Sequence, residues 1–500
     1  MADHSDGYAT TIELTLDRFA RYGDRVAITV DDPGSRSEWT FRDVLDRVHR
    51  EARRLDGLGV RRGDVVAIMV GSTPTGLVMR WAANVVGAAW VSFADGSSPT
   101  TVAALLRTCS ARLLVVAGTG RRETADRAAA GTGATVVDVD PDPPADAAPF
   151  PVRLRPDDLA SISLTGGSTG VPKGVPRYAA VPAYSSPAAL AGWSDTVLLV
   201  CTPIAHIAGT LSLVTLAAGG RVVLQAEFDA ARVLAAIARE RATTIQLMPR
   251  NLYQLLDHPD LATTDTSGLR RVRIGSAPAS ADRLGEALER FGPIVGQTYG
   301  SIEATTICSI EPDELARPEL RGTVGRPVRG VTVSVCDDDG TPVPAGTTGE
   351  VWVHSGAVMP GYIGNPEETA AVLRDGWFRT GDLGSLDEHG YLTLVGRAKE
   401  VIFAERARIY PSEVENCLVA HPGVTAAGVF ARADGDGVET AAAAVVPRAG
   451  CAPTADELIG WVAGHRGPTV APSEVRLVAD LPLTPSGKVD RAALARQASG

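Results

Sequence analysis

The sequence predicts an α/β fold: a large, multi-lobed N-terminal domain with parallel-rich sheets and a β-rich lobe, then a small α+β C-terminal domain. Three features carry that reading. Short apolar runs alternate with helix-period stretches up to about residue 250, the pattern of strands joined by crossover helices. From about residue 320 the pattern changes to short β segments separated by turns. The last hundred residues, after "GRAKEVI", read as a compact α+β unit of their own. The division falls at 1–396 and 397–500, two domains in a 500-residue chain that exceeds one ordinary core.

Taken in order, "VAITV" and "DVVAIMV" are short apolar strands, and "FRDVLDRVHREARRLDGLGV" has helical spacing that ends at glycines. "GLVMRWAANVVGAAWVSF" and "VAALLRTCSARLLVVAG" each repeat helix then strand. Residues 138–157, "DVDPDPPADAAPFPVRLRPD", are rich in Pro, Asp and Ala and read as a surface linker. "TVLLVCTPIAHIAGTLSLVTLAAGGRVVL" resumes the alternation, followed by the helix "DAARVLAAIARERA" and the strand "TTIQLMP". Further on, "VTVSVCDDDGTPVPAGTTGEVWVHSG" alternates around the turn signal "DDDG". The chain is expected to end in an exposed polar tail.

Composition narrows the function. Hydrophobic residues at 45% and charged residues at 21% describe a globular chain, neither disordered nor fibrous. A formal charge of −11 argues against a partner that is nucleic acid or an anionic membrane. The N-terminal stretch lacks the basic and apolar regions of a signal peptide, and no apolar run is long enough to span a bilayer. The six cysteines are scattered without zinc-type pairing, which suits a reduced, cytoplasmic protein with buried free thiols.

The stretch "SLTGGSTGVPKGVP" (163–176) has the composition of a phosphate-holding loop. It is not the P-loop of nucleotide hydrolases, because that motif runs Gly-Lys-Ser/Thr straight into a helix. Here Lys173 lies between Pro172 and Gly174. A nest of backbone N–H groups binds an anion without a helix, whereas an isolated glycine-rich stretch is equally a plain surface turn. Five further motifs decide between these readings: "PIAHIAG" (203–209), "GSAPAS" (275–280), "QTYGSIEAT" (297–305), "WFRTGDLGSLDEHGYLTLVGRAKEVI" (377–402) and "LPLTPSGKVDR" (481–491). In this order they resemble the signature set of the adenylate-forming superfamily of acyl- and aryl-CoA synthetases, peptide-synthetase adenylation domains and firefly luciferase. The resemblance covers nearly the whole chain.

The resemblance implies ATP and Mg²⁺ as cofactors and a carboxylic acid as substrate. The acid attacks the α-phosphorus of ATP, and charge gathering there calls for positioned cations and donors. It implies that Thr165, Gly166, Gly167, Ser168, Thr169 and Gly170 form the phosphate loop, with Lys173 as its cation. Glu303 matches the Mg²⁺ position, a hard carboxylate for a hard cation. Tyr299, with Gly300 and Ser301 after it, matches the adenine platform, and the backbone of Gly275, Ser276 and Ala277 its other face. Asp382 matches the acceptor for the ribose diol, assisted by Arg397. Lys488 matches the lysine that reaches the acid and the α-phosphate, and Lys399 the hinge of a mobile C-terminal domain. His206 matches the boundary between acid and thiol pockets, with Ala304, Thr305 and Met248 shaping the acid pocket. Ordinary structural roles compete with each of these: a core tyrosine, a packed histidine, surface ion pairs, a solvated lysine.

Three departures qualify the match. Ile302 stands where the superfamily usually has a hydroxyl residue, and "VPRYAAVP" lacks the usual Thr-His pair. In "VIFAERARIYPSEVE", Glu405 and Arg406 replace a Gly-Gly-containing loop that lines the thiol channel in relatives. Glycine lets a second chain approach closely, and two bulky charges should hinder that. "PIAHIAG" also lacks the Phe-Asp start of amino-acid-activating domains, so an acid without an α-ammonium is expected. The predicted activity is adenylation of a non-amino carboxylic acid, by default followed by transfer to coenzyme A. A carrier protein, a second transfer enzyme, a nitrogen nucleophile or diazotisation are alternative fates, and a non-catalytic nucleotide-binding module is the alternative class.

Overall fold

The computed structural model describes residues 8–140, 145–165, 172–180, 190–404, 407–433 and 439–498. The chain divides into two compact units, Met1–Ile245 with Met359–Ala370, and Gln246–Val358 with Ala371–Gly500.

In the first unit the strands are β1 (Val26–Asp32), β2 (Ser35–Thr40), β3 (Val65–Met69), β4 (Ala89–Ser92), β5 (Leu113–Val116), β6 (Thr135–Asp138), β7 (Leu159–Leu164), β8 (Gly174–Tyr178), β9 (Val197–Val200), β10 (Arg221–Leu224) and β11 (Thr244–Leu247). One sheet runs β6-β5-β3-β4-β7-β8, parallel except for the β7–β8 pair. The other places β1 beside β10, β10 beside β9 and β9 beside β11, all parallel, with β2 antiparallel on β1. Crossover helices make this parallel pairing, as the alternation predicts.

Local chemistry starts those helices. Thr10 with Glu13 and Thr40 with Asp43 form capping boxes at Thr11–Tyr22 and Phe41–Gly57. Pro74 and Pro99 occupy first turns, where their missing N–H costs nothing. The helix Pro74–Val85 is mostly apolar and is buried on nearly all sides, with Arg80 and Asn84 among its buried side chains. Phe19 joins it to the rest of the core, 5.3 Å from the Phe41 ring and edge-on to Trp81 at 5.1 Å.

The surface linker expected at 138–157 is a largely exposed connection from β6 to β7. Its described part forms no helix or strand beyond Asp138, but it is strapped along the helix Phe41–Gly57. Arg53 donates to the Ala148 carbonyl at 2.6 Å, Phe150 N–H donates to His49 Nδ1 at 3.1 Å, and Leu154 is buried. The arginines of the helix's polar face satisfy these carbonyls, a role that composition does not reveal.

In the second unit, β12 (Arg271–Gly275) lies parallel to β13 (Val295–Ser301), which pairs antiparallel with β14 (Thr305–Ile310) and it with β15 (Arg326–Pro327). The β-rich lobe is antiparallel: β16 (Val331–Cys336), β17 (Gly349–Ser355), β18 (Leu373–Arg374), β19 (Trp377–Leu386) and β20 (Leu392–Arg397). "DDDG" does turn, with Asp337 Oδ1 accepting from Asp339 and Thr341 N–H. The ladder partner of β16 nevertheless begins only at Gly349. A short hairpin, β21 (Ile402–Ala404) with β22 (Ala407–Ile409), follows, and Glu405 and Arg406 lie outside the described residues. β23 (Val424–Ala433), β24 (Glu439–Pro447) and β25 (Glu474–Leu477) form the last sheet. The expected exposed tail is corrected. Residues Arg491–Ala498 form a helix whose Leu494 is buried against Phe430 and Leu481.

Among the described residues no helix is long and apolar enough to cross a membrane. One buried acid ties the first unit's sheet together. Glu240 receives Arg36 at 3.1 Å, Arg221 at 2.9 Å and Arg239 at 3.2 Å. Burial opposes its charge, but the three guanidiniums outweigh that and bring its pKa down to about 2. Folded and unfolded values therefore differ with the folded one lower, so the stabilisation is present above the ordinary carboxylate range and fades as pH falls toward 2. Glu240→Ala is expected to lower the unfolding free energy by about 2 kcal/mol at neutral pH, measured by urea unfolding, and to flatten the acid limb of the stability curve.

Candidate active site

In the first unit, β7 and β8 pair antiparallel, so the glycine-rich segment is a strand–loop–strand connection. Thr165 N–H donates to the Lys173 carbonyl at 3.0 Å, and Lys173 N–H donates to Thr165 Oγ1 at 3.1 Å. These two bonds close the base of the loop. Gly166, Gly167, Ser168, Thr169 and Gly170 lie outside the described residues. The Lys173 ammonium is ion-paired with Glu368 and sits 4.9 Å from the Tyr362 ring centre. Sequence reasoning missed both partners, since Glu368 is 195 positions away.

His206, in the same unit, immediately precedes the helix Ile207–Ala217. Its turn is tight: His206 N–H donates to the Pro203 carbonyl at 3.2 Å and Gly209 N–H to the His206 carbonyl at 3.0 Å. Arg80 Nη2 donates to the Ile204 carbonyl at 2.7 Å. A Cβ on Gly209 would lie 1.9 Å from that same oxygen, so only glycine fits there. Arg80 is 2% exposed and lies over Trp90 at 4.6 Å, and burial pulls its pKa down to about 9. The sequence offered one signal for this buttress, an arginine inside an otherwise apolar helix.

The second unit gathers the other candidates. β12 delivers Gly275 beside Thr298 of β13, and Ser276 follows at φ +73°. A Cβ on Gly275 would meet Thr298 at 3.0 Å, so the Gly275–Ala277 backbone keeps close to the strand that carries Tyr299. At the β13–β14 turn, a Cβ on Gly300 would lie 2.1 Å from the Thr305 carbonyl, and Thr305 itself has φ +60°. Ser301 Oγ accepts from Ala304 N–H at 3.1 Å inside the same turn, which presents Ile302 and Glu303. Of the three neighbours expected at an acid pocket, Ala304 is fully buried, Met248 is half-buried and Thr305 is exposed.

Asp382 is the centre of this group. The β19–β20 register sets it opposite Arg397, whose Nε donates to Oδ1 at 2.9 Å. The Tyr299 hydroxyl donates to Oδ2 at 2.7 Å. Burial and then the Asp382 charge push the Tyr299 phenol well above its ordinary pKa, so it stays a donor. Asp382 in turn raises the Arg397 pKa. Lys488 lies in the same electrostatic neighbourhood. Crowding by protein and then the Arg397 charge lower its pKa, while Asp382, Glu400 and Glu303 act to raise it. Lys399 is exposed in the single turn Ala398–Glu400 directly after β20.

Among the described residues no three His, Cys, Asp or Glu side chains cluster as a metal site. A lone Glu303 suits Mg²⁺ that arrives with a nucleotide, because that ion takes one or two carboxylates with phosphate oxygens and water. All six cysteines are free and only Cys451 is exposed. Burial pushes the Cys201 and Cys308 thiols up to about 12, which removes them as nucleophiles.

A glycine-rich strand–loop–strand connection, a buried Asp382 held by Tyr299 and Arg397, and Lys488 in its electrostatic neighbourhood on an α/β scaffold suit an adenylate-forming enzyme. The comparisons with known proteins agree. The family described as AMP-binding enzyme matches residues 16–363, and the AMP-binding enzyme C-terminal domain matches residues 413–488. The chain belongs to the AMP-binding enzyme family and is acyl-CoA-ligase-like. A feruloyl-CoA synthase of Amycolatopsis sp is 35% identical over 460 residues, 90% of this chain and 92% of that protein. The medium/long-chain-fatty-acid–CoA ligase FadD8 of Mycobacterium tuberculosis is 36% identical over 351 residues, and that match spans 68% of this chain and 62% of FadD8. Among solved structures, the amide bond synthetase McbA of Marinactinospora thermotolerans superposes with a TM-score of 0.83 at 35% identity, over 97% of this chain and 99% of McbA.

The Gly300 geometry makes a direct forecast. Gly300→Ala is expected to displace the turn that carries Glu303, because the clash is with backbone rather than with a movable side chain. Thermal unfolding should show a folded but weakened protein, and pyrophosphate release should fall by about tenfold or more.

Proposed function

We propose that the protein converts a non-amino carboxylic acid to an acyl-adenylate, using ATP with Mg²⁺ held partly by Glu303. A carboxylate oxygen of the acid bonds to the α-phosphorus, the bond from that phosphorus to the bridging oxygen breaks, and pyrophosphate leaves. The observation that carries this reading is the buried Asp382 carboxylate held by Tyr299 and Arg397, with the ammonium of Lys488, an exposed side chain, in the same electrostatic neighbourhood. Such a cation answers the negative charge that develops around the reacting phosphorus. Asp382 accepts from the ribose diol with Arg397 beside it. Tyr299 and the Gly275–Ser276–Ala277 backbone border adenine. Thr165 to Gly170 and Lys173 hold the β and γ phosphates, so nucleotide competes with Glu368 for Lys173. His206 lines the acid pocket, and Lys399 is the hinge between 1–396 and 397–500. Bound Mg²⁺ supplies charge neutralisation at the phosphates.

The default second step is transfer of the acyl group to the coenzyme A thiol with loss of AMP, by analogy with the feruloyl-CoA synthase relative. The second reading, transfer to an amine, is favoured by the likeness to an amide bond synthetase and by Glu405 and Arg406 in place of glycines. A panel of hydroxycinnamic, benzoic, indole and straight-chain acids, assayed with ATP and Mg²⁺ for pyrophosphate release, tests the first step. Mass detection of acyl-AMP, thioester and amide tests the second. Absence of acid-dependent pyrophosphate release across the panel would count against adenylation.

Lys488→Ala is expected to lower kcat for adenylate formation by roughly 10²-fold or more while ATP binding and folding stay near wild type. Near-normal pyrophosphate exchange in the folded variant would remove Lys488 from the mechanism. Its lowered pKa sets the sign of a pH effect. The protonated form is the active one, so wild-type activity should be lost on the alkaline side below the ordinary lysine range of about 10.4. Lys488→Arg should abolish that limb.

The acceptor question has its own test. Unpaired charges beside a thin, largely neutral pantetheine arm cost several kcal/mol. Wild-type protein is therefore expected to release acyl-AMP and to form acyl-CoA slowly. Replacing Glu405 and Arg406 by glycine should raise thioester formation with little change in pyrophosphate release. Acyl-CoA formation by the unmodified enzyme at its adenylation rate would overturn this.

A further inference from the structure

We propose that the helix Pro249–Leu256, with Met248 before it and Asp257 after it, is a dock that positions Lys488 for adenylate formation. The proposal rests on the role of Lys488 given above. It names residues that act through Lys488 and touch no substrate themselves.

Two contacts along this one helix hold the segment that carries the lysine and a third holds Thr425 and Arg448 of the same family domain, all within the second unit. At its start, the position a Cβ would take on Gly487 lies 3.2 Å from Met248 Sδ. In its first turn, Arg250 Nη2 pairs with Asp480 Oδ1 at 2.7 Å. At its end, Asp257 takes Arg448 Nη2 at 3.2 Å and the Thr425 hydroxyl at 3.0 Å. Asp480, Gly487, Thr425 and Arg448 belong to the matched C-terminal family domain (413–488), whereas residues 248–257 belong to the N-terminal match.

Both sides of the dock are stiff. Asp257 also receives Arg283 at 2.6 Å, and that buried guanidinium is itself bonded to the Tyr253 carbonyl at 3.1 Å and to Glu286 at 2.6 Å. The carboxylate is therefore aimed before Arg448 and Thr425 reach it. On the other side, Thr484 N–H donates to the Lys488 carbonyl at 2.8 Å, Gly487 N–H to the Thr484 carbonyl at 2.8 Å and Lys488 N–H to Thr484 Oγ1 at 3.3 Å. Gly487 has φ +82°, which only glycine adopts without strain, and its lack of a side chain lets Met248 come close. With the turn internally fixed, the places where Asp480 and Gly487 are held decide where the ammonium lands.

The lysine needs such a dock. Its side chain is exposed, and the like charge of Arg397 in its neighbourhood pushes it away from its seat. Contacts remote from the reacting atoms offset that push, and a misplacement of about 1 Å costs on the order of 10²-fold in rate. The Arg250–Asp480 pair is a weak candidate for mere stability, because Asp480 is 68% exposed and exposed pairs contribute little. A large kinetic effect from this pair without an effect on folding is what distinguishes positioning from scaffolding.

The test is a charge swap, with Arg250→Asp, Asp480→Arg and their combination, alongside Arg448→Met and Thr425→Val. The single variants are expected to lower kcat for ATP–pyrophosphate exchange, with the best acid of the panel, by about tenfold. Their KM for ATP should stay within about twofold and their melting temperature near wild type. The combined swap should recover most of the lost rate. Hydrogen exchange of residues 480–488, which needs no substrate, should quicken in the singles and return toward wild type in the swap. Wild-type rates or unchanged exchange in the singles would overturn the dock, as would a swap no better than its parents. Lys488→Ala in the same assay separates the two proposals: if it is inactive while the dock variants are normal, only the dock falls, and if it is active, the role of Lys488 falls.

Discussion

Much of the second unit is organised around one buried carboxylate. Asp382 accepts from Tyr299 on one oxygen and from Arg397 on the other, and each donor comes from a different strand. A carboxylate buried without donors would protonate or draw in water. Here both of its oxygens have donors, and its charge raises the Arg397 pKa and, after burial, that of Tyr299. The β19–β20 register sets the pair, because Asp382 and Arg397 stand opposite one another in the ladder. A slip of one residue would turn both to the wrong face.

Around that centre the electrostatics are balanced against each other. Crowding by protein and then Arg397 disfavour the Lys488 ammonium although its side chain is exposed, and Asp382, Glu400 and Glu303 favour it. An ammonium held in that way remains a cation but a readily perturbed one, which suits a group that acts as phosphate charge develops. Backbone strain sits at the same place. Ser276 and Thr305 both adopt positive φ, and both flank strands that lead into the site. The first unit shows the same division of labour, with Arg80 holding the turn of His206 from behind and Glu368 with Tyr362 holding Lys173.

The parts of the fold legible in the sequence were those governed by local periodicity. The apolar runs of β1, β3 and β5 and the helices between them depend on neighbours within a few residues, so their pattern survives in a one-dimensional reading. Two stretches make contacts that their composition does not reveal. Residues 145–157 look like a linker because Pro and Asp are common in linkers, yet the arginines of a distant helix bind their carbonyls. Residues 491–498 look like a polar tail because Leu494 is their one large apolar side chain, yet that leucine is enough to seat a helix on Phe430 and Leu481.

For the site, the sequence by itself determined the chemical inventory: glycines where backbone must approach closely, Glu303, Asp382, Arg397 and Lys488, and the order in which they occur. Those are properties of residue type and spacing, and they identify the family. Only the tertiary structure decided what each charge faces. Glu368 on Lys173, Tyr299 on Asp382, Arg80 under the Ile204 carbonyl and Asp257 on Arg448 join residues between 83 and 195 positions apart, which no local pattern reaches. Electrostatic and hydrogen-bond energies depend on distance and burial in space, and neither quantity is a function of separation along the chain.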